Sequence, residues 1–250
     1  MSSTFSRALQ RLAGRPEHEL DAPWGWPGHG GSMLTVRDAY YQALERELAA
    51  GARAGSPPTV AGRALLAGDG ALGDLFGLLL QADDADLWKR PEPGSSALGQ
   101  ILGHVLAVEE RYRRHIEYAR DRSEDAPVRF DPPTGVAADP NQGPDRILDW
   151  IDLIQDERRL AWELARIPDS ALRRPSVWMG HGVDIQFRLH RSTAHIAEHA
   201  VEVEKVLVEL GRRASEPERI VRLVFAARGA HAALSAPEEL QRLDAELPVD

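Results

Sequence analysis

Apolar residues along this chain recur at three- and four-residue steps over long windows, and no segment alternates in twos between hairpin turns, so the pattern predicts helices throughout. Four windows stand out. Leu65, Leu72, Leu75, Phe76 and Leu79 define a helix from Thr59 to about Gln81. Its Gly68, Gly70, Gly73 and Gly77 each weaken a helix by up to about 1 kcal/mol relative to alanine, which implies close packing or a break. Ile101, Val105, Val108, Tyr112 and Ile116 share the face of a second helix, with Ser96 placed to cap it and an end near Asp121. Ile147, Trp150, Ile151, Ile154, Ala161 and Leu164 mark a third between Pro144 and Pro168. Ile185, Leu189, Ser192, Ile196, Val203, Val206 and Leu210 mark a fourth, which Gly211 stops.

The connections divide the chain. Residues 123–143 are rich in Pro and Asp and long enough for a crossover between helices. Residues 168–183 form a loop carrying Trp178 and His181, which either lines a pocket mouth or, more simply, packs on the end of the bundle. Upstream, the Gly/Pro/Trp-rich residues 23–31 read as a loop laid on the body, and Thr35 with Asp38 starts a short helix that Gly51 can end. Downstream, Pro217 begins one more helix, and Ser235 with Glu238 forms a capping box for a short last one. The expected organisation is all-α: an N-terminal extension over residues 1–58, a four-helix bundle over 59–212 and a C-terminal helical extension over 213–250.

Composition narrows the chemistry. A chain of 250 residues can bury a full core without staples. It has no cysteine, which excludes disulfides, thiolate ligands and a cysteine nucleophile, and shifts any metal toward His and carboxylate ligation. A formal net charge of −9 without a dense basic block repels phosphate backbones, so nucleic-acid binding is disfavoured. No window reaches the roughly 18 apolar residues of a membrane span, and Met1 to Arg7 lack the apolar stretch of a signal peptide; the expected location is the cytoplasm.

Against that background, His195 and His199 carry the main chemical signal. Four residues advance a helix by one turn and about 40°, so the two imidazoles share a face, and both fall inside the apolar stripe of the fourth helix. Paired core-facing histidines either satisfy each other structurally or offer two nitrogens to one divalent cation. His190 lies about 140° around the helix from His195 and reads as a surface or interhelical residue. His115 lies roughly 16 Å along the second helix from His104, too far to share an ion with it. Trp88 and Trp150 are most simply core residues.

Three short motifs in order resemble the DinB superfamily of metal-binding helical bundles. Asp86-Leu87-Trp88-Lys89-Arg90-Pro91, followed by Ala97-Leu98-Gly99-Gln100-Ile101-Leu102-Gly103-His104-Val105, resembles that family's passage from helix one to helix two. His195-Ile196-Ala197-Glu198-His199 resembles its helix-four motif, and Leu207-Val208-Glu209-Leu210-Gly211 its helix ending. The resemblance covers about residues 60–212 and maps the three ligand positions onto His104, His195 and His199. It departs at Glu202, where relatives often carry glutamine; that carboxylate is a partner behind a ligand, a fourth ligand or a surface group.

The resemblance implies a divalent ion, zinc or nickel, and chemistry on a small molecule by hydrolysis or by thiol-dependent transfer or isomerisation, as in mycothiol-dependent maleylpyruvate isomerase type proteins. It extends to a homodimer. Three neutral imidazoles leave an open position on the ion, where water or a low-molecular-weight thiol cosubstrate loses its proton near neutral pH. Glu198, between the two histidines, is a candidate base or orienting residue and, more simply, an ordinary solvated carboxylate. His195 to His199 also spell H-x-x-E-H, the inverted zinc-protease motif, but the large scaffold and distant acidic ligand of those proteases are missing. The alternative to an enzyme is a metal- or ligand-binding bundle without turnover.

Overall fold

The computed structural model describes residues 3–25, 34–129 and 142–249. Their helices are α1 (Ser3–Ala13), α2 (Val36–Ala54), α3 (Val60–Leu79), α4 (Leu98–Asp121), α5 (Ile147–Ala161), α6 (Ile185–Glu209), α7 (Glu216–Gly229) and α8 (Pro237–Ala245). The four predicted long helices are α3 to α6, with α3 and α4 each packed on both α5 and α6. The predicted all-α bundle is the observed architecture. One cluster of buried side chains runs from Phe5 and Leu9 of α1 through Phe76, Leu102, Ile151 and Val203 to Phe225 of α7, so both chain ends pack on the bundle's core. No helix among the described residues is long and apolar enough to cross a membrane.

Gly68, Gly73 and Gly77 of α3 serve close packing, Gly70 faces open space, and the helix runs through all four unbroken. A Cβ on Gly73 would collide with the carbonyl of Phe225, and one on Gly229 with that of Asp69, so α3 and α7 meet backbone to backbone. Several helix ends differ from the pattern. α2 has the Thr35 and Asp38 capping box but runs past Gly51 to Ala54, where Gly55 takes a φ of 78°. Ala97, not Ser96, is the N-cap of α4, and the Gln100 side chain accepts its N–H at 2.9 Å. α5 starts at Ile147, whose N–H is taken by Asp84 Oδ1 at 2.8 Å from a distant turn, and gives way to a 3-10 turn at Trp162–Arg166 before Pro168. α8 has Ala236 as N-cap, because Ser235 instead bonds His231 Nδ1 at 2.8 Å.

Two short hairpins interrupt the helices, and the period-two pattern does not signal either. β1 (Pro23–Trp24) pairs with β2 (Leu34–Thr35); residues 26–33 of the Gly/Pro/Trp segment and 130–141 of the predicted crossover lie outside the described residues. β3 (Pro175–Trp178) pairs antiparallel with β4 (His181–Asp184) around Met179 and Gly180, whose φ values of 48° and 82° fit the mirror-image turn that matches strand twist. Asp184 then caps α6, accepting the Phe187 N–H at 2.8 Å, so hairpin and helix are one continuous unit. The two family-like motifs at the ends of the bundle also meet: Arg212, just beyond α6, donates to Asp86 at 2.8 Å.

Candidate metal centre

Packing of α4 on α6 brings His104 against His195 and His199. His195 Nε2 lies 3.2 Å from His104 Nε2 and 3.0 Å from His199 Nε2. Nitrogen ligands at about 2.0–2.1 Å from a tetrahedral ion stand about 3.3 Å from one another, so this spacing fits one divalent cation. Three imidazole nitrogens facing each other need either a shared proton or a positive centre between them. The buried Nδ1 of His195 has no hydrogen-bond partner among the described residues, which leaves Nε2 as the nitrogen through which that ring interacts.

Protonation favours ligation. Burial lowers His195 to about 4, aided by repulsion from His199 and His104, and burial likewise lowers His104. Both rings are therefore neutral at pH 7, the form a metal takes. His199 donates Nδ1–H to Glu202 Oε2 at 2.7 Å, which turns its Nε2 lone pair toward the other two rings. Of the roles open to Glu202, the bond to His199 Nδ1 fits the partner behind a ligand.

A cleft of about 460 Å³ opens beside His104 and His195, walled by Tyr112, His115, Trp178, Arg188 and Arg191. The β3–β4 hairpin packs on α4 and α6, and Trp178 also reaches the cleft, donating Nε1–H to the Tyr112 hydroxyl at 3.2 Å. His181 is exposed on the hairpin and His190 on α6; His115 borders the cleft away from the triad. Glu198 is exposed and engages Arg191 through two bonds of 2.8 Å, which hold its carboxyl below the ordinary range. Below the triad, Ser192 donates to Glu109 at 2.6 Å, and Arg158 bridges Glu109 to Asp69. This buried network ties α3, α4, α5 and α6 together beneath the histidines.

The model of the DinB superfamily matches residues 68–201, more than half of the chain and all three histidines. The chain belongs to the DinB superfamily. No curated protein and no solved structure matches it. Tyr112, Arg188 and Arg191 stand at the cleft without having been singled out for function in the sequence, which barely signals them. Their one trace is position: Arg188 and Arg191 precede His195 by seven and four residues on one helical face, and Tyr112 follows His104 by eight.

Proposed function

We propose that this DinB-superfamily chain is a divalent-metal-dependent enzyme acting on a small molecule, by hydrolysis or by thiol-dependent transfer or isomerisation, at His104, His195 and His199. The observation that carries the reading is the convergence of three Nε2 atoms, 3.0 and 3.2 Å apart along the chain of contacts, at the edge of a cleft large enough for a small molecule. An ion held there, zinc or nickel, supplies Lewis acidity and an open position.

The chain's own residues prepare the site. Glu202 holds the His199 proton on Nδ1, and burial keeps His195 neutral. Tyr112, raised in pKa by burial, accepts from Trp178 and retains its own proton for a ligand in the cleft. Glu198 orients Arg191, whose guanidinium lies 5.8 Å from the centre of the Trp178 ring at the cleft wall. As a base, Glu198 would first have to leave that arginine. No carboxylate lines the cleft among the described residues, which favours the thiol-dependent branch, where the nucleophile arrives with the cosubstrate.

The test begins with metal analysis of protein purified without a histidine tag. Metal-free and metal-restored samples are then assayed on ester, amide and electrophile substrates, each with and without low-molecular-weight thiols. Turnover that requires metal supports the reading. Full turnover in metal-free protein rejects it, and stoichiometric metal without turnover on the whole panel selects the non-catalytic metal-binding bundle.

A further inference from the structure

Among the described residues three arginines are buried, and two have acidic partners. Arg158 is paired with Asp69 and Glu109, and Arg228 with Glu47 and Asp244. Arg188 is as deeply buried, at 3% exposure, yet no carboxylate reaches it among the described residues. Its Nε donates to Ser176 Oγ at 2.7 Å and its Nη2 to the Val177 carbonyl, both neutral groups of the β3–β4 hairpin. Burial brings it down to about 10, which still leaves it charged at pH 7. An unpaired buried charge is costly, and the cost is recovered only when a counter-charge arrives.

The surroundings show what that counter-charge is. Arg188 borders the cleft beside the histidine triad, and Arg111 and Arg191, the latter paired with the exposed Glu198, line it too, with no acidic side chain among the described lining residues. In a chain of net charge −9, that local excess of positive charge is an exception. Val108, Val177 and Met179 add apolar lining, and the Trp178 indole offers a flat apolar face. The hairpin occupies two nitrogens of Arg188 and fixes the guanidinium plane, while Nη1 has no acceptor among the described residues.

We propose that the cleft is an anion subsite in which Arg188 receives the carboxylate of a small molecule whose flat apolar body lies along Trp178. The proposal deepens the enzyme reading by naming a substrate class; it rests on the same cleft but not on the ion. Arg188 is a binding residue here, and Ser176 positions it.

The test is calorimetric titration of the full chain, freed of metal with a chelator, against benzoate, benzyl alcohol and inorganic phosphate. Benzoate is expected to bind at least tenfold more tightly than either of the others. Arg188→Leu should lose at least tenfold in benzoate affinity with benzyl alcohol unchanged, and Arg188→Lys should lose less. If circular dichroism shows that Arg188→Leu does not fold, Ser176→Ala provides the second arm: it removes the hydroxyl that positions the Arg188 guanidinium, so benzoate affinity should fall with benzyl alcohol unchanged, and undiminished benzoate affinity would overturn the proposal. The proposal is overturned if benzoate fails to bind, binds no better than benzyl alcohol or phosphate, binds only when metal is restored, or binds undiminished to folded Arg188→Leu. Metal analysis of the same protein reports separately on the enzyme reading, so the two can fail independently.

Discussion

Glu202 accepts the Nδ1 proton of His199 at 2.7 Å, within one turn of α6, and so orients the Nε2 of that ring toward His195. Removing such a partner typically costs 10–100-fold in metal affinity, because the ring loses both its fixed tautomer and some of its basicity. Glu202→Ala should therefore weaken zinc binding by about that factor while leaving the helical circular dichroism spectrum unchanged. Unaltered affinity would make the carboxylate a surface group.

The triad itself should be decisive for metal. His195→Ala with His199→Ala removes two of three nitrogens, and no neighbouring side chain among the described residues replaces them. Metal content should fall from near stoichiometric to background. The melting temperature of the parent should rise on adding zinc, since an ion that binds only the folded form stabilises it by mass action, and that rise should vanish in the double variant. Stoichiometric metal in the variant would mean that other ligands hold it.

Glu47 lies at the centre of a second buried network, far from the cleft, where it accepts two bonds of 2.7 Å from Arg228 and one of 2.8 Å from His231. Glu47→Ala leaves a buried arginine with only Asp244 as a partner, so a loss of about 3–5 kcal/mol is expected in a denaturant melt.

The same carboxylate sets an acid limb. Burial pushes Glu47 up, but the bonds from His231 and Arg228 outweigh it and the folded-state pKa is lowered. A depressed acid stabilises the fold above its unfolded value, about 4.3, and that contribution disappears as pH falls through the folded value. The stability gap between the parent and Glu47→Gln should be widest near neutrality and close below about pH 4. A gap independent of pH would contradict this.

Gly73 tests the approach of α3 to α7. An added methyl would meet the Phe225 carbonyl and the Ala226 backbone, neither of which can rotate away. Gly73→Ala, favourable by about 1 kcal/mol on helix propensity, should instead destabilise by about 1–3 kcal/mol through overpacking. Gly70→Ala, where a Cβ meets nothing within 4 Å, is the control and should be neutral or stabilising.

Much of the architecture was legible in local pattern. Ile101 to Ile116 and Ile185 to Leu210 mark α4 and α6 because a helix repeats its buried face every three to four residues, whatever it packs against. The spacing of His195 and His199 is set by the same geometry. The hairpin at Met179 was not legible: its first turn residue is a methionine forced to positive φ, whereas the usual signals are Asn, Asp or Gly. Ser96 and Ser235 show the opposite error, good capping residues that the chain uses elsewhere or not at all as caps.

By itself, then, the sequence determined the helices, the lack of any cysteine of the chain's own and the face that His195 and His199 share, since each depends on residues within a turn or two of one another or on composition alone. Only the tertiary structure decided that α3 glycines touch α7, that Glu198 turns to Arg191 while Glu202 turns to His199, and that Arg188 lies buried beside the cleft with no carboxylate among the described residues. The reason is physical. A side chain's charge partner is selected by which helices pack together, and the bonds that define this interior, such as Glu109 to Ser192 and Glu47 to Arg228, join residues 83 and 181 positions apart, beyond the reach of any local period.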